Sequence, residues 1–502
     1  MRYILGIDIG TTAIKGAVIG EDGKIYGSRT SEYPLTTLPT GEVEAELSLY
    51  IKAFINSVKG AVSESGVKAE DVKCIGFSST AETCVFLDEN AQPLSNVIAW
   101  MDMRATKEAE YLSAQFEKEE IIRKIGFDGI YAIHPVSKIL AVKNKSPEIF
   151  EKTRMFAQIK DYFIYRLTGK YYTDHSTASD HGYFDITNRC YWQEMLDLVG
   201  IKKQYLPEMV APGTEIGTIT VKAAEELGLT PGTKVNVGAF DQGCGAIGAG
   251  NIKAGIASES TGSALVTVAT IDRLNINSDG SVPTLCSAIP GKYMYQPYCT
   301  GSMIMKWFRD AFCEKEKKIE SQTGLNAYTQ MDELVRLTPP GADGLIMLPY
   351  FQGSGIPEMN ENADGVYYGI NAGHTRGHFI RAIMEGLAIA LKRMLECEAK
   401  FGANAVEIRS LGGGSQSEAW CQIKADILGI PVKVVANSES TPCMGCAILA
   451  GVANGIWTSI EDAADQFVSI KKTYVPNPDN AEVYNRLYQK YVEITKALDP
   501  TF

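Results

Sequence analysis

The sequence has no uncharged apolar run of eighteen or more residues, so it predicts no membrane-spanning helix. Arg2, Asp8 and Lys15 interrupt the first twenty residues, which also lack the three regions of a signal peptide. The chain has neither a low-complexity tract nor a long proline-rich linker. These absences predict a cytoplasmic, globular protein that does not bind membranes.

Negative charges outnumber positive charges, and the formal net charge is -12 over 502 residues. A negatively charged protein does not attract a phosphate backbone over distance. Nucleic acid is therefore excluded as an expected partner. Any phosphate site has to be local, and it has to consist of backbone N–H groups, one or two cations and a metal ion.

The eleven cysteines form no disulfide or zinc framework. Their number is odd, they are scattered, and most stand beside apolar residues, which predicts reduced thiols in the core of a cytosolic protein. Cys443 and Cys446 have C-x-x-C spacing, but no second pair follows at zinc spacing. A metal or redox role for this pair is the alternative to simple packing.

What the sequence does contain is typical of a large α/β protein. Hydrophobic residues make up 45% of the chain and charged residues 22%, and the length suggests two to four domains. Apolar spacing predicts helices over residues 379–396, 418–428 and 481–498. Ser417 and Gly429 are good caps for the second of these helices. Strands and helices are mixed throughout, which indicates the α/β class.

Two parts of the chain show the same pattern of strand, turn and strand. The first has predicted strands over residues 3–9 and 13–19 around the turn Gly10-Thr11-Thr12. The second has predicted strands over residues 255–260 and 264–270, preceded by another strand over residues 234–239. This similarity favours an internal duplication, with a domain boundary near residues 248–254.

The first turn is a candidate phosphate site. Gly10 permits close approach of the backbone to a ligand, and Thr11 and Thr12 offer hydroxyl groups beside backbone N–H groups. Lys15 adds a positive charge on the following strand. Asp8 repels phosphate but can hold magnesium. The alternative is a plain hairpin with an exposed turn.

Several segments resemble the FGGY family of carbohydrate kinases, which includes xylulose, glycerol and gluconate kinases. The opening also resembles the first phosphate motif of the sugar kinase, actin and Hsp70 superfamily. The resemblance extends from about residue 3 to about residue 457. It is carried by residues 134–140, 160–169, 174–178, 344–350 and 382–386.

The resemblance implies two ribonuclease-H-like domains of the actin-like ATPase superfamily, with a cleft between them. Residues 1–250 are then the sugar-binding N-terminal domain, and residues 251–502 are the nucleotide-binding C-terminal domain. The last helix is allowed to pack back on the N-terminal domain. The implied ligands are ATP, Mg²⁺ and a small sugar or polyol, and a homodimer is left open.

The same resemblance assigns the residues of phosphoryl transfer. Asp241 matches the catalytic base, with a helix N-cap or a loop acid as the alternative, and Gln242 matches a contact with substrate hydroxyls. Gly262 and Ser263 match a second phosphate clamp, for which an ordinary turn is the alternative.

The nucleotide base has its own expected residues. Gly413 and Ser417 match positions that contact adenine, although physical reasoning alone favours an anion site at this helix N-terminus. A purely structural turn is the other alternative. Gly301 resembles part of a loop that borders the nucleotide, with packing as its alternative.

The acceptor side is expected near Ala81, Glu82 and Asp102. Asp102 and Arg104 can equally form a structural ion pair. Two carboxylates suit a neutral polyol or ketose better than a sugar acid, and the glycerol kinase pattern is not intact. The sequence therefore favours a ketose of the xylulose or ribulose kind over glycerol. The alternative functions are a non-catalytic sensor of sugar or nucleotide and an actin-like or chaperone-like ATPase.

Overall fold

The computed structural model describes residues 1–275 and 279–502. Within this part of the chain there are twenty-six strands and eighteen α-helices. The strands are β1 (Tyr3–Ile9), β2 (Ala13–Gly20), β3 (Ile25–Glu32), β4 (Thr36–Thr37), β5 (Val43–Ala45), β6 (Val72–Ser79), β7 (Cys84–Leu87), β8 (Val97–Ile98), β9 (Met155–Gln158), β10 (Tyr172–Asp174), β11 (Phe184–Asp185), β12 (Cys190–Tyr191), β13 (Glu208–Val210), β14 (Glu215–Thr218), β15 (Lys234–Asn236), β16 (Ala239–Phe240), β17 (Ile256–Thr261), β18 (Ala264–Ile271), β19 (Thr284–Cys286), β20 (Tyr293–Tyr295), β21 (Tyr298–Thr300), β22 (Ile346–Leu348), β23 (Val366–Tyr368), β24 (Glu407–Leu411), β25 (Val432–Val435) and β26 (Ile470–Tyr474). The helices are α1 (Leu47–Ser65), α2 (Thr106–Ser113), α3 (Lys118–Ile125), α4 (Pro135–Lys145), α5 (Pro147–Lys152), α6 (Ile159–Thr168), α7 (His175–Ala178), α8 (Gln193–Val199), α9 (Val221–Leu227), α10 (Asp241–Gly248), α11 (Met303–Phe312), α12 (Glu314–Thr323), α13 (Ala327–Arg336), α14 (Arg376–Lys400), α15 (Glu418–Leu428), α16 (Thr441–Ala453), α17 (Ile460–Phe467) and α18 (Ala481–Leu498).

The chain forms two compact units that alternate along the sequence. Unit 1 comprises Met1–Ile252, Ile271–Met294 and Ser440–Val468, and unit 2 comprises Lys253–Thr270, Tyr295–Glu439 and Ser469–Phe502. The predicted boundary after residue 250 falls beside the first change between units. The returns of residues 271–294 and 440–468 to unit 1 are not part of that prediction.

Unit 1 is built on a mixed sheet with the strand order β14-β15-β6-β1-β2-β3. Strands β1, β2 and β3 are antiparallel neighbours, whereas β6 lies parallel to β1 on its other side. Helix α1 packs on this sheet, and its buried Phe54 stacks on Phe163 with ring centroids 4.3 Å apart. The predicted opening hairpin is confirmed, because β1 and β2 pair as antiparallel strands around the turn Gly10-Thr11-Thr12.

Unit 2 repeats this arrangement. Strands β17 and β18 form an antiparallel hairpin, and β24 lies parallel to β17, followed by β25 and β26. Helix α15 begins after Ser417, whose hydroxyl accepts a hydrogen bond from the Trp420 N–H, and ends at Gly429 in the left-handed region. The predicted caps of this helix are confirmed.

The last helix packs within unit 2. Tyr484, Leu487 and Tyr491 of α18 are buried in the same core as α14 and β22. The core contacts of this helix thus lie in unit 2, and its packing on the N-terminal domain stays a prediction. The apolar face of α18 finds its partners in unit 2.

One predicted strand is interrupted. Residues 234–239 were expected to be continuous, but β15 ends at Asn236 and β16 starts at Ala239. Gly238 lies between them with φ +69°, and a Cβ at this position would be 1.7 Å from the Phe77 carbonyl oxygen. The close approach to β6 requires glycine, and it breaks the strand just before Asp241.

Helix α16 contacts the sheet of unit 1 through glycines. A Cβ on Gly6 would lie 2.2 Å from the Cys443 carbonyl oxygen, and one on Gly76 would lie 2.3 Å from that of Cys446. Cys443 and Cys446 are buried at this interface, and burial raises the pKa of both thiols well above the ordinary value. The C-x-x-C pair thus serves packing.

This contact gives a stability test. Gly76→Ala is expected to lower the free energy of unfolding by about 1–3 kcal/mol, because a backbone carbonyl has to move to admit the methyl group. Urea unfolding measures the change. Gly232→Ala is the matched control, since a Cβ there would meet nothing within 4 Å. Equal stability of the two variants would contradict the close packing of α16.

Candidate active site

Asp8 lies on β1, directly opposite Lys15 on β2. The Ser78 hydroxyl donates a hydrogen bond of 2.7 Å to Asp8 Oδ1. Enclosure raises the pKa of Asp8 to about 6, and the Ser78 hydrogen bond and the charge of Lys15 oppose this shift. Lys15 Nζ also donates to the Ser440 hydroxyl at 2.7 Å. The sheet register thus places one acid and one cation beside the first turn.

The turn itself is held by two aromatic residues. Trp100 Nε1 donates to the Thr11 hydroxyl at 2.9 Å, and the Tyr33 hydroxyl donates to the Gly10 carbonyl. The Tyr33 N–H donates to the Thr12 carbonyl at 2.9 Å. Thr12 is exposed. The turn therefore has a fixed backbone and presents one threonine to solvent.

Asp241 is the first residue of α10. The N-cap of that helix is Phe240, which makes no side-chain cap, so Asp241 does not serve as the N-cap. The Phe240 N–H donates to the Ser176 hydroxyl at 3.0 Å, which fixes the backbone just before Asp241. In the described part of the chain, Asp241 Oδ1 has no hydrogen-bond partner. A fixed carboxylate with an unused acceptor is suited to a general base.

Neighbouring acids perturb the protonation of Asp241. Enclosure and the negative charges of Asp8 and Glu82 raise the pKa of Asp241 well above its usual range, whereas hydrogen bonds from Gln242 oppose the shift. Like charges and burial both disfavour a second ionised carboxylate. Perturbed acids of this kind are common at functional sites.

Glu82 lies in a loop that is held by a buried lysine. Lys138 is fully buried, and its ammonium group donates to the carbonyls of Glu82, Ala99 and Trp100 at 2.8, 2.9 and 2.8 Å. Glu82 has φ +55°, which is uncommon for a residue with a side chain. Ala81 is fully buried, so its methyl group serves packing. Lys138 thus positions the loop and directs its charge to backbone oxygens.

Asp102 is not available to a substrate. Its carboxylate accepts from the Val43 N–H at 2.6 Å and from Arg104 Nε and an Arg104 terminal nitrogen at 2.8 Å each. Arg104 also pairs with Glu44 at 2.7 Å, and Asp102 is fully buried. The structure therefore favours the alternative of a structural ion pair over the expected sugar contact.

In the second turn, as in the first, residues outside the turn hold its backbone by hydrogen bonds. The Ser302 N–H and hydroxyl both donate to the Gly262 carbonyl, at 2.8 and 2.6 Å, and the Gly301 N–H donates to the Ser263 carbonyl at 2.9 Å. Ser263 is exposed. Gly301 is buried, and a Cβ there would lie 2.3 Å from the Ala264 carbonyl carbon. Gly301 therefore has the packing role that was its alternative.

The glycine-rich segment before α15 lies against the end of β17. A Cβ on Gly414 would be 2.6 Å from Thr261 Cβ, whereas Gly413 is exposed. The Ser417 hydroxyl donates to Asp332 Oδ1 at 2.8 Å in addition to capping α15. Burial raises the pKa of Asp332 to about 6, and the hydrogen bond from Ser417 opposes this shift. Gly413 thus exposes backbone without a side chain near the hydrogen-bonded pair of Ser417 and Asp332.

A magnesium ion fits this site only in part. Among residues 1–275 and 279–502, no group of three or more His, Cys, Asp or Glu side chains is arranged to hold a metal. Magnesium in kinases is usually held by one or two carboxylates, waters and substrate phosphates. Asp8, with a single hydrogen bond from Ser78, fits the role of one such carboxylate.

Sequence reasoning missed Asp180 and the role of Lys138. Asp180 is buried in the turn after α7, and the acids Asp180, Asp241 and Glu82 influence one another electrostatically. A signal was available, because Asp180 is the second residue after the family-like run 174–178.

Comparison with known proteins supports the resemblance over the whole chain. Residues 3–248 match the N-terminal domain of the FGGY family of carbohydrate kinases, and residues 263–454 match its C-terminal domain. The chain is 30% identical to a xylulose kinase of Bacillus subtilis (strain 168) over 497 residues, covering 98% of this chain and 97% of the relative. It is 28% identical to a gluconokinase of the same strain over 504 residues, covering 99% and 96%. The ligand-bound xylulose kinase of Lactobacillus acidophilus superimposes with a TM-score of 0.90 at 27% identity, covering 99% and 98%.

These matches define the class of the protein as a phosphotransferase that acts on carbohydrates. The chain belongs to the FGGY family of carbohydrate kinases, and its two domains have the actin-like ATPase architecture. The predicted family, fold class and kinase activity are confirmed. The structure also contains no helix long and apolar enough to cross a membrane within the described residues.

Proposed function

We propose that this enzyme transfers the γ-phosphoryl group of ATP to a hydroxyl group of a neutral ketose or polyol. The observation that carries the proposal is Asp241, whose backbone is fixed by Ser176 and whose Oδ1 has no hydrogen-bond partner in the described residues. A carboxylate in this state can accept the proton of an acceptor hydroxyl while the new P–O bond forms.

In unit 1, the sugar is proposed to bind between Asp241, Gln242 and Glu82. Asp241 takes the proton, and the other two side chains orient hydroxyl groups. The turn Gly10–Thr12 and Lys15 contribute backbone N–H groups, hydroxyls and one positive charge toward phosphate oxygens. Asp8 would hold magnesium, which neutralises phosphate charge when it is bound with ATP.

In unit 2, the nucleotide is proposed to bind along the ends of β17 and β24. Gly262 and Ser263 form the second clamp, in which the exposed Ser263 hydroxyl and the N–H groups of the turn face phosphate. Gly413 and the Ser417–Asp332 pair are proposed to face the base and ribose. Bare glycine backbone permits flat packing against a ring.

The preference for a neutral substrate is supported by charge. Enclosure and Asp180 raise the pKa of Glu82 well above its usual range, and Lys138 opposes the shift but donates to three backbone carbonyls. A substrate carboxylate would find acids here, and Lys138 already uses its three donors on backbone carbonyls. The similarity to a xylulose kinase favours a ketose, whereas the similarity to a gluconokinase supplies the competing class to test.

The test is ADP release from magnesium-ATP with D-xylulose, D-ribulose, xylitol, glycerol and D-gluconate. We expect one of the two ketoses to give the highest kcat/KM, with glycerol and gluconate at least about tenfold lower. A highest value for gluconate would contradict the neutral substrate. Nucleotide binding without phosphorylation of any compound would instead favour the non-catalytic sensor.

A further inference from the structure

The turn that carries Asp180 is fixed on both sides. The Ser179 hydroxyl donates to the His175 carbonyl at 2.8 Å and accepts from the Cys286 N–H at 3.0 Å. The Val136 N–H donates to the His181 carbonyl at 3.0 Å. These bonds connect the turn to α7 on one side and to α4 on the other, so the position of Asp180 is defined by its surroundings.

Helices α7 and α4 also hold the segments that carry the two neighbouring acids, Asp241 and Glu82. Helix α7 carries Ser176, which accepts from the N–H before Asp241 and thereby joins the turn to the start of α10. Helix α4 carries Lys138, whose ammonium group holds the loop of Glu82. The fold therefore connects Asp180 to the Asp241 backbone through α7 and to the Glu82 loop through α4.

The Asp180 side chain has no partner that explains its burial. The residue is only 4% exposed, and no hydrogen bond or ion pair to its carboxylate is present within residues 1–275 and 279–502. Burial and the charge of Asp241 raise the pKa of Asp180 to about 8. An enclosed acid without a protein partner is costly to a fold unless water or a ligand hydrogen-bonds to it, so this carboxyl is available to a hydroxyl group of a ligand.

Glu82 shares this property. It is 8% exposed, its carboxylate has no hydrogen bond in the described chain, and burial together with the charge of Asp180 raises its pKa. The cation beside it, Lys138, already donates to three carbonyl oxygens. Two carboxyl groups without partners, next to the proposed base, can accept hydrogen bonds from several hydroxyl groups of one ligand.

We propose that Asp180 is a substrate-binding residue that hydrogen-bonds a hydroxyl group of a neutral polyhydroxylated substrate and disfavours substrates that carry a carboxylate. The inference rests on the proposed function and adds the residue that selects between its two competing substrate classes. A hydroxyl group that bonds to Asp180 satisfies the buried carboxyl, whereas a substrate carboxylate brings a negative charge into an enclosed cluster of acids that disfavours ionisation.

The test is Asp180→Asn, with kcat and KM measured for D-xylulose or the preferred neutral compound, for D-gluconate and for ATP. We expect the KM of the neutral compound to rise about tenfold or more, the KM of ATP to stay within about twofold, and the kcat/KM of gluconate to rise. Glu194→Gln removes the same charge from an exposed position on α8 and is the matched control. Titration calorimetry of wild type and variant with the neutral compound measures binding directly.

The outcomes separate the two proposals. If wild type phosphorylates a neutral compound and Asp180→Asn leaves the KM values of both sugar classes unchanged, the role of Asp180 is wrong and the proposed function stands. If wild type neither phosphorylates nor binds any sugar of the panel, both proposals fail. Should the asparagine variant not fold, Asp180→Glu replaces it, and an unchanged KM for the neutral compound in that variant would also overturn the inference.

Discussion

Asp241→Asn is expected to lower kcat by a factor of about 10² to 10⁴, with little change in the KM of ATP. The amide keeps the size of the side chain but cannot accept the proton of the attacking hydroxyl. A coupled ADP-release assay at saturating ATP and sugar measures the effect. Asp364→Asn, at an exposed position in unit 2, is the control for the chemical change alone.

The stability of the same variant distinguishes loss of a base from loss of the fold. Because enclosure raises the pKa of Asp241, its protonated form stabilises the folded state and that stabilisation is lost as pH rises through the folded-state pKa. At pH 8 the neutral asparagine is therefore expected to leave the free energy of unfolding equal or higher. A folded variant that retains more than a few per cent of turnover would contradict the base assignment.

Lys160→Met is expected to reduce the free energy of unfolding by about 3–5 kcal/mol, which is typical when one partner of a buried ion pair is removed. Lys160 and Asp174 are both fully buried and pair directly, and Lys160 also donates to the Thr177 hydroxyl at 2.7 Å. Without the lysine, the Asp174 carboxylate remains buried and uncompensated. Urea unfolding at pH 7 measures the loss.

The effect is also expected to reach the active site. Asp174 accepts from the Ser176 N–H at 2.9 Å and from the Ser176 hydroxyl, which in turn holds the Phe240 N–H. We therefore expect kcat to fall in any folded fraction of the variant. Lys170→Met, at an exposed position two residues after α6, is the control. Adding Asp174→Asn to Lys160→Met is expected to restore part of the stability, and a single variant as stable as wild type would contradict the argument.

The local features of this chain were predictable because they depend on neighbouring residues. Apolar runs broken by Gly10-Thr11-Thr12 define the first hairpin, and the Ser417 cap and Gly429 terminate α15, since each needs hydrogen bonds only within a few residues. The family was predictable from motif order. The position of Asp241 followed from the resemblance, and the structure added its unpartnered oxygen.

Other features depend on residues that are distant in the sequence, and only the tertiary structure decided these features. Gly238 breaks a strand because the Phe77 carbonyl lies against it, and Asp102 is occupied by Val43 and Arg104. Asp180 becomes a candidate for substrate recognition because hydrogen bonds join its turn to α4 and α7, which also hold the Glu82 loop and the backbone before Asp241.

The placement of residues 440–468 shows most clearly which information lies in the sequence and which lies only in the folded structure. The sequence by itself determined that residues 441–453 are rich in small residues, but not which unit they belong to. Only the close packing of Gly6 and Gly76 against the carbonyls of Cys443 and Cys446 puts them in unit 1. Close packing depends on the shapes of two surfaces that come together only in the folded chain, and no pattern within one segment contains that information.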